Sequence, residues 1–249
     1  YEIYSKIHNA KIIKSKTSNF EVDTNNILSN INKKTKIIFV ANPNNPTGLY
    51  IDKNNLNKFI KKIPKRIILV LDAAYAEYIT SSDYENGMKY VSKYKNIIVT
   101  RTFSKIYGLA SLRLGWCYAN EEIIELLDRI RGPFNVNRVA QEAGSIAIAE
   151  EDIERKLVAH NRKWLKTIKL ELNKLPLTVY NSQANFIFIK LNNGITEKKK
   201  LNKYLLSKSI IIRTLDNYNL PECIRVTIGT ESENKMLISA FKSFFKNAK

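Results

Sequence analysis

One uninterrupted apolar run reads Ile37-Ile38-Phe39-Val40-Ala41, and it continues directly into Asn42-Pro43-Asn44-Asn45-Pro46-Thr47-Gly48. An apolar run of this length is typical of a strand that is buried on both faces of a parallel sheet. Asparagine, proline and glycine at such density predict a turn. We therefore expect a buried strand over 37–41 that ends in a polar loop.

The segments that follow repeat this alternation. A helix is predicted over 52–62, with Asp52 as its N-cap residue, and a second buried strand over 66–71. A polar loop and a short helix then lead to a strand over 96–101, and a further strand is predicted over 114–119. Strands that alternate with helices through short loops predict an α/β fold with a mostly parallel sheet.

The rest of the chain predicts a second, smaller domain. A short helix over 1–12 and an extended piece over 20–23 precede the first strand. Beyond the sheet we expect helices over 121–131, 137–150, 152–175 and 232–246, and strands over 185–189, 210–213 and 222–229, with a helix between the first two of these strands. We therefore divide the chain into a large α/β domain, 1–150, and a smaller α+β domain, 151–249.

Composition and charge narrow the classes of function. The 249 residues include 44% hydrophobic side chains and carry a formal net charge of +18. Lysine is spread along the whole chain, which favours a solvated surface, so we expect no nucleic-acid partner. Cys117 and Cys223 are far apart, which fits a reducing cytoplasmic location, and the isolated His8 and His160 predict no metal site. No apolar run approaches the length of about 20 residues that spans a bilayer, so we expect no membrane partner.

Three polar residues each lie just past the end of a predicted strand: Asn45, Asp72 and Lys105. In doubly wound sheets, sites collect at the carboxyl ends of the strands. A carboxylate such as Asp72 keeps a nearby pyridine nitrogen protonated, because an opposite charge favours the charged form. The Lys105 amine is suited to act as a nucleophile and then as a base. The pattern predicts an enzyme that holds pyridoxal 5'-phosphate as a Schiff base.

Other side chains supply what this cofactor and an anionic substrate require. The Asn45 amide and the Tyr75 hydroxyl are candidate donors to the phenolate oxygen. Candidates for binding the cofactor phosphate are Thr102, Ser104 and Arg113. Arg213 and Arg225, each on a predicted strand of the smaller domain, are candidates for a substrate carboxylate or phosphate. Any one of these residues alone is more commonly structural, and only their joint occurrence favours the functional interpretation.

Taken together, the motifs resemble those of fold-type I pyridoxal phosphate-dependent aminotransferases: Asn42 to Gly48, Asp72-Ala73-Ala74-Tyr75, Thr102-Phe103-Ser104-Lys105 with Arg113, and Arg225-Val226-Thr227-Ile228-Gly229-Thr230. Two further stretches, Gly132 to Asn137 and Ala184-Asn185-Phe186, resemble the histidinol-phosphate aminotransferase family in particular. The resemblance covers essentially the whole chain. It implies a fold-type I transferase, of which this chain holds the C-terminal part of the large domain and the small domain.

The resemblance also implies roles for individual residues. Lys105 is the Schiff-base lysine, Asp72 is the partner of the pyridine nitrogen, and the Asn45–Pro46 bond is cis. Arg225, with Arg213 nearby, binds the α-carboxylate of glutamate in one half-reaction and the phosphate end of the other substrate in the second.

The resemblance implies a homodimer that interconverts histidinol phosphate and 2-oxoglutarate with imidazole acetol phosphate and glutamate, a step of histidine biosynthesis. Family members also carry a preceding stretch with a phosphate-binding loop and an aromatic residue that stacks on the pyridine ring, and we expect both to lie outside this chain. Three alternatives remain open: an aromatic amino acid aminotransferase, a phospho-amino-acid decarboxylase of the same fold, and a catalytically incomplete basic binding module.

Overall fold

The structure is a computed structural model that describes residues 1–247. The chain forms two compact units. The first comprises Tyr1–Asn44, Tyr50–Ala76 and Thr80–Glu150, and the second comprises Asn45–Leu49, Glu77–Ile79 and the chain from Glu151 onward. Two short segments from the first half of the sequence therefore belong to the second unit.

A four-stranded sheet forms the centre of the first unit. Its strands, in spatial order, are β1 (Ile37–Ala41), β2 (Ile68–Asp72), β3 (Ile97–Thr102) and β4 (Gly115–Ala119). The first three strands run parallel, and β4 pairs with β3 in the antiparallel direction. The predicted mostly parallel sheet of an α/β fold is confirmed.

The strand register aligns the ends of the three parallel strands. Ala41 pairs with Asp72, and Asp72 in turn pairs with Thr100. Because parallel strands present their carboxyl ends at the same edge of a sheet, the residues that follow β2 and β3 emerge side by side.

Four of the six helices of the first unit begin at a side-chain cap. The helices are α1 (Glu2–Ile7), α2 (Thr24–Ser29), α3 (Lys53–Lys62), α4 (Met88–Val91), α5 (Glu121–Ile130) and α6 (Arg138–Ala149). Asp52 caps α3 as predicted, since its carboxylate accepts hydrogen bonds from the N–H groups of Asn54 and Asn55. Of the extended piece predicted over 20–23, Glu21 forms an isolated antiparallel bridge with Ser18 and Asp23 is extended, whereas Phe20 adopts a positive φ within a turn.

One face of β1 is buried, and the other is largely exposed. Ile38 and Val40 pack into a core cluster with Leu56 of α3, whereas Ile37 and Phe39 are 48% and 41% exposed. The prediction that β1 is buried on both faces is therefore wrong for this chain. Among the described residues, α3 packs against the face of β1 that carries Ile38 and Val40. Because successive residues of a strand point to opposite faces, Ile37 and Phe39 lie on the other face.

A second four-stranded sheet, entirely antiparallel, forms the centre of the second unit. Its spatial order is β5-β6-β8-β7, with β5 (Leu177–Val179), β6 (Phe186–Leu191), β7 (Arg213–Thr214) and β8 (Cys223–Thr227). The helices α7 (Glu151–Leu172), α8 (Gly194–Ser207) and α9 (Glu231–Asn247) accompany it. Trp164 and Ile168 of α7 share one core cluster with Ile187, Ile224 and Phe241. The short strand β5 is not among the predicted strands.

A half-buried ion pair joins α8 to the turn that follows β7. The Lys198 ammonium donates to both carboxylate oxygens of Asp216, at 2.9 and 2.8 Å. The lysine side chain is only 4% exposed, whereas that of Asp216 is 53% exposed. The charge of Lys198 therefore depends on this partner for stabilisation.

We expect Asp216→Asn to lower the free energy of unfolding by about 1–3 kcal/mol at pH 7, less than for a fully buried pair because water screens the exposed carboxylate. Chemical denaturation measures this, with the exposed Glu231→Gln, which removes a partner of Lys235, as the matched control. The Lys198 ammonium holds the pKa of Asp216 below its usual value. The stabilisation is therefore present above the usual carboxyl pKa and is lost as pH falls through the lowered one. An unchanged stability at pH 7 would contradict the prediction.

None of the helices in residues 1–247 combines the length and apolar character needed to cross a bilayer.

Candidate active site

Lys105 lies in a closed turn directly after β3. The N–H of Phe103 donates to the carbonyl of Leu114 at 3.1 Å, and the N–H of Leu109 donates to the carbonyl of Phe103 at 3.0 Å. The side chains of Phe103 and Ile106 are buried and anchor the turn on either side of the lysine. The turn therefore presents Lys105 from a fixed backbone, with its side chain half-buried.

The structure brings Lys105 together with Tyr75, which follows β2. The Nζ atom of Lys105 lies 5.3 Å from the centre of the Tyr75 ring, within the range of a cation–π contact. Tyr75 itself is buried. Two of the predicted site residues, from the ends of two neighbouring strands, thus meet at one edge of the sheet.

Asp72 ends β2, and its two carboxylate oxygens have different partners. Oδ1 accepts from the N–H of Ala74 at 3.2 Å, and Oδ2 accepts from the hydroxyl of Tyr1 at 2.5 Å. The Tyr1 ring stacks on Phe39 of β1, with 4.7 Å between ring centres. Tyr1 is not among the predicted site residues, because no local pattern marks an aromatic residue that contacts a carboxylate 71 positions away.

The candidates for phosphate binding occupy two places along the same loop. Thr102 and Ser104 share a turn, since Thr102 Oγ1 accepts from the N–H of Ser104 at 3.0 Å. Arg113 is exposed, with a φ of 54°, and its Nη1 donates to the carbonyl of Ala110 at 2.7 Å. Thr102 and Ser104 therefore precede the lysine by three positions and one position, and Arg113 follows it by eight.

The second unit holds its own cluster around Arg225 of β8. Arg225 Nη1 donates to Asn45 Oδ1 at 2.7 Å, and its guanidinium lies 4.6 Å from the centre of the Phe186 ring. Its Nε is buried and has no hydrogen-bond partner among the residues that the structure describes. A buried unsatisfied donor of this kind is a position where a bound group completes the hydrogen bonding.

Arg213 and Arg225 are direct neighbours on the second sheet. They pair across β7 and β8, so their side chains leave the same face of the sheet, with Cβ atoms about 5 Å apart. Like charges placed directly opposite each other are destabilising. An anion bound between the two guanidinium groups would relieve this repulsion.

The two peptide bonds Asn42–Pro43 and Asn45–Pro46 are both cis, as the resemblance implied for the second.

Neither thiol is suited to act as the nucleophile. Burial raises the pKa of Cys223 to about 12 and also raises the pKa of Cys117. Both therefore stay protonated at neutral pH. Within residues 1–247, no group of three or more His, Cys, Asp or Glu side chains is placed to hold a metal ion.

The residues present match pyridoxal 5'-phosphate in their chemistry. In the first unit, the Lys105 amine suits its aldehyde, the Asp72 carboxylate suits its ring nitrogen, and the hydroxyls of Thr102 and Ser104 suit its phosphate. In the second unit, the unsatisfied Nε of Arg225 suits an anion. These residues of the chain therefore supply donors and charges of the signs that the aldehyde, the ring nitrogen and the phosphate require.

Comparisons with known proteins give consistent results. The profile of the family described as "Aminotransferase class I and II" matches residues 1–241. The histidinol-phosphate aminotransferase of Maricaulis maris (strain MCS10) is 41% identical over 248 residues, which is 99% of this chain and 68% of that protein. The protein of the same name from Pelagibacter ubique (strain HTCC1062) is 41% identical over 246 residues, 98% of this chain and 68% of its own length.

Among solved structures, the histidinol-phosphate aminotransferase from Sinorhizobium meliloti in complex with pyridoxal-5'-phosphate superimposes with a TM-score of 0.92 at 23% identity, covering 100% of this chain and 68% of that one. At this identity the similarity establishes the fold alone. This chain spans about two thirds of the length of the relatives it matches.

Proposed function

The chain belongs to the family of class I and II aminotransferases, and on that premise we propose that it transfers the amino group of histidinol phosphate to 2-oxoglutarate, with pyridoxal 5'-phosphate as cofactor. The membership confirms the resemblance that the sequence motifs carry. Relatives that bear the name histidinol-phosphate aminotransferase, at 41% identity over nearly the whole chain, support the choice of substrate.

The observation that carries the proposal is the pairing of Arg213 with Arg225. A phosphate monoester carries close to two negative charges at neutral pH, and two guanidinium groups on one face of a sheet match that charge. Glutamate and 2-oxoglutarate offer carboxylates to the same face in the other half-reaction. An aromatic amino acid offers a single carboxylate, which leaves one arginine without an anion.

Three residues of the chain act on the cofactor, and a fourth holds one of them in place. When bound, the cofactor withdraws electrons from the Cα atom of the substrate. Lys105 would hold the cofactor through its amine and, as a base, would move the proton at Cα. Asp72 keeps the ring nitrogen protonated, and the hydroxyl of Tyr1 holds that carboxylate in place. The Tyr75 hydroxyl donates to the phenolate oxygen.

Asn45 and the phosphate-binding residues are the remaining residues proposed to bind the cofactor. Because Asn45 Oδ1 accepts from Arg225, its Nδ2 is the atom that remains to donate to the phenolate oxygen. Thr102, Ser104 and Arg113 hold the phosphate through hydroxyl and guanidinium donors. Arg225 binds the substrate carboxylate or phosphate, with Arg213 as the second donor.

Arg213→Gln tests the substrate assignment. We expect kcat/KM for histidinol phosphate to fall about 10- to 100-fold, because a charge-assisted hydrogen bond is lost. We expect a smaller fall for glutamate, since its carboxylates carry less charge per group. Arg155→Gln is the matched control, since Arg155 is an exposed arginine on α7 that pairs with Asp152. Equal losses for the two substrates would contradict a phosphate-binding role.

A panel of substrates with the unaltered protein separates the alternatives. Faster amino transfer from phenylalanine than from histidinol phosphate would favour the aromatic amino acid aminotransferase. Release of carbon dioxide from a phosphorylated amino acid would favour the decarboxylase. Salt-sensitive association with DNA or RNA, without cofactor binding, would favour the basic binding module, and the absence of a nucleic-acid partner stays a prediction.

We also propose a homodimer located in the cytoplasm. Support for the dimer comes from apolar side chains at the end of α5 and the start of α6. Ile130 and Phe134 are 80% and 95% exposed, and Val139 lies nearby in sequence and is also exposed. Large apolar side chains that are exposed close together in sequence are candidates for a protein–protein interface. The free thiols of Cys117 and Cys223 support the cytoplasmic location.

A further inference from the structure

Asn42, the first residue after β1, has all four of its polar atoms hydrogen-bonded. Its N–H donates to the carbonyl of Asp72 at 2.9 Å, and its own carbonyl accepts from the hydroxyl of Tyr84 at 2.8 Å. Its side-chain Oδ1 accepts from the N–H of Ile51 at 2.8 Å, and Nδ2 donates to the carbonyl of Ile51 at 3.4 Å. Asn42 is only 3% exposed. Its position is therefore fixed by four hydrogen bonds to three residues.

The Asn42 side-chain amide makes the hydrogen bonds that a backbone peptide group would make in a strand pair. A side-chain amide that both accepts from and donates to one residue reproduces the pairing between two strands. Asn42 and Ile51 thereby close the base of the loop formed by residues 43–50. Asn45, which accepts from Arg225, lies in this loop three positions after Asn42. The loop therefore begins and ends at two residues, Asn42 and Ile51, that are hydrogen-bonded to each other.

A second set of bonds holds Tyr84 in place. The Tyr50 hydroxyl donates to Asp83 Oδ1 at 2.6 Å, and the rings of Tyr50 and Tyr84 meet edge to face, 5.8 Å apart. The hydroxyls of Ser81 and then Tyr50 hold the pKa of Asp83 below its usual value, so Asp83 is a charged acceptor at neutral pH. The N–H of Lys53 donates to the carbonyl of Asp83 at 2.6 Å. The segment 81–84 is thus tied to the chain on the far side of the loop.

We propose that Asn42 and Tyr84 are positioning residues for the cofactor, acting through the loop that carries Asn45. The Asn42 amide closes the base of the loop, the Tyr84 hydroxyl holds the Asn42 carbonyl, and together they set where the Asn45 amide lies. This inference rests on the proposed function, because the position of Asn45 affects the cofactor only when its amide donates to the phenolate oxygen. A well-placed donor favours the charged phenolate.

The first experiment tests, without the cofactor, the clamp that Asn42 forms with Ile51 and Tyr84. In the cofactor-free protein we expect Asn42→Ala to speed hydrogen exchange of the Ile51 amide about tenfold or more, since its acceptor is removed. Tyr84→Phe is the milder variant, which keeps the ring and the fold. Tyr94→Phe is the matched control, because Tyr94 is, like Tyr84, a half-buried tyrosine of the first unit but lies outside the clamp. An Ile51 amide that exchanges equally fast in the unaltered and Asn42→Ala proteins would overturn the clamp.

The second experiment reads the cofactor spectroscopically. In Tyr84→Phe and Asn42→Ala, we expect the pKa of the visible absorption band of the bound cofactor to rise by about half a unit or more, with no rise in Tyr94→Phe. An unchanged pKa in both variants would overturn the positioning role. If the unaltered protein binds no cofactor, the proposed function fails, and the positioning role of Asn42 and Tyr84 fails with it. Hydrogen exchange of the Ile51 amide then still tests whether the clamp itself exists.

Discussion

Lys105→Ala is expected to abolish amino transfer, lowering kcat by about four orders of magnitude or more. The lysine amine has two proposed roles, which are to hold the cofactor and to move the proton at the substrate Cα atom. Alanine performs neither. The turn that carries the lysine is held by backbone hydrogen bonds and by buried Phe103 and Ile106, so the fold is expected to survive the change. Steady-state rates and the visible absorption of the bound cofactor measure the two roles separately.

Lys93→Ala is the matched control for this experiment. Lys93 is an exposed lysine of the same unit, and its removal changes the net charge by the same amount. We expect full activity and an unaltered spectrum. A Lys105→Ala protein that kept both the visible band and full transamination would refute the assignment of the lysine.

Asp72→Asn is expected to lower kcat by about a hundredfold or more at pH 8, because the ring nitrogen loses the negative charge that keeps it protonated. Asparagine preserves the size of the side chain and an acceptor for the Tyr1 hydroxyl, so the effect isolates charge. The pKa of the ring nitrogen falls when the carboxylate is removed. The loss of kcat in Asp72→Asn is therefore expected to become smaller as pH is lowered. A pH profile of kcat measures this.

Asp52→Asn serves as the control for the second prediction. Asp52 also loses one charge in this change, but asparagine is an equally good N-cap residue for α3. We expect little change in activity or stability. A pH profile of Asp72→Asn parallel to that of the unaltered protein would contradict the proposed role of the carboxylate.

Local signals predicted much of the fold. The helix α3 is predictable because Asp52 and the apolar spacing of Leu56, Phe59 and Ile60 are all local in sequence. The end of β2 at Asp72 is predictable because the apolar run stops there. Such signals require no knowledge of how distant segments pair.

Pairing between distant segments accounts for what the sequence does not predict. The apolar stretch 210–213 predicts a strand, but only Arg213–Thr214 pairs with β8, and Ile211 is 86% exposed. The side-by-side placement of Arg213 and Arg225 depends on strand register, which a single strand sequence does not specify. The bond between Tyr1 and Asp72 likewise depends on the tertiary fold.

The membership of segment 45–49 in the second unit has a consequence for recombination between relatives. The carbonyl of Gly48 accepts from the N–H of Gln183, and a Cβ added at Gly48 meets the Ser182 side chain at 2.0 Å, so the segment and the second unit are fitted to each other. A chimera joined at residue 150 inherits Asn45 from one parent and Arg225 from the other. The second unit is therefore not an exchangeable C-terminal cassette, and a chimera that changes substrate preference must carry both pieces from the same parent.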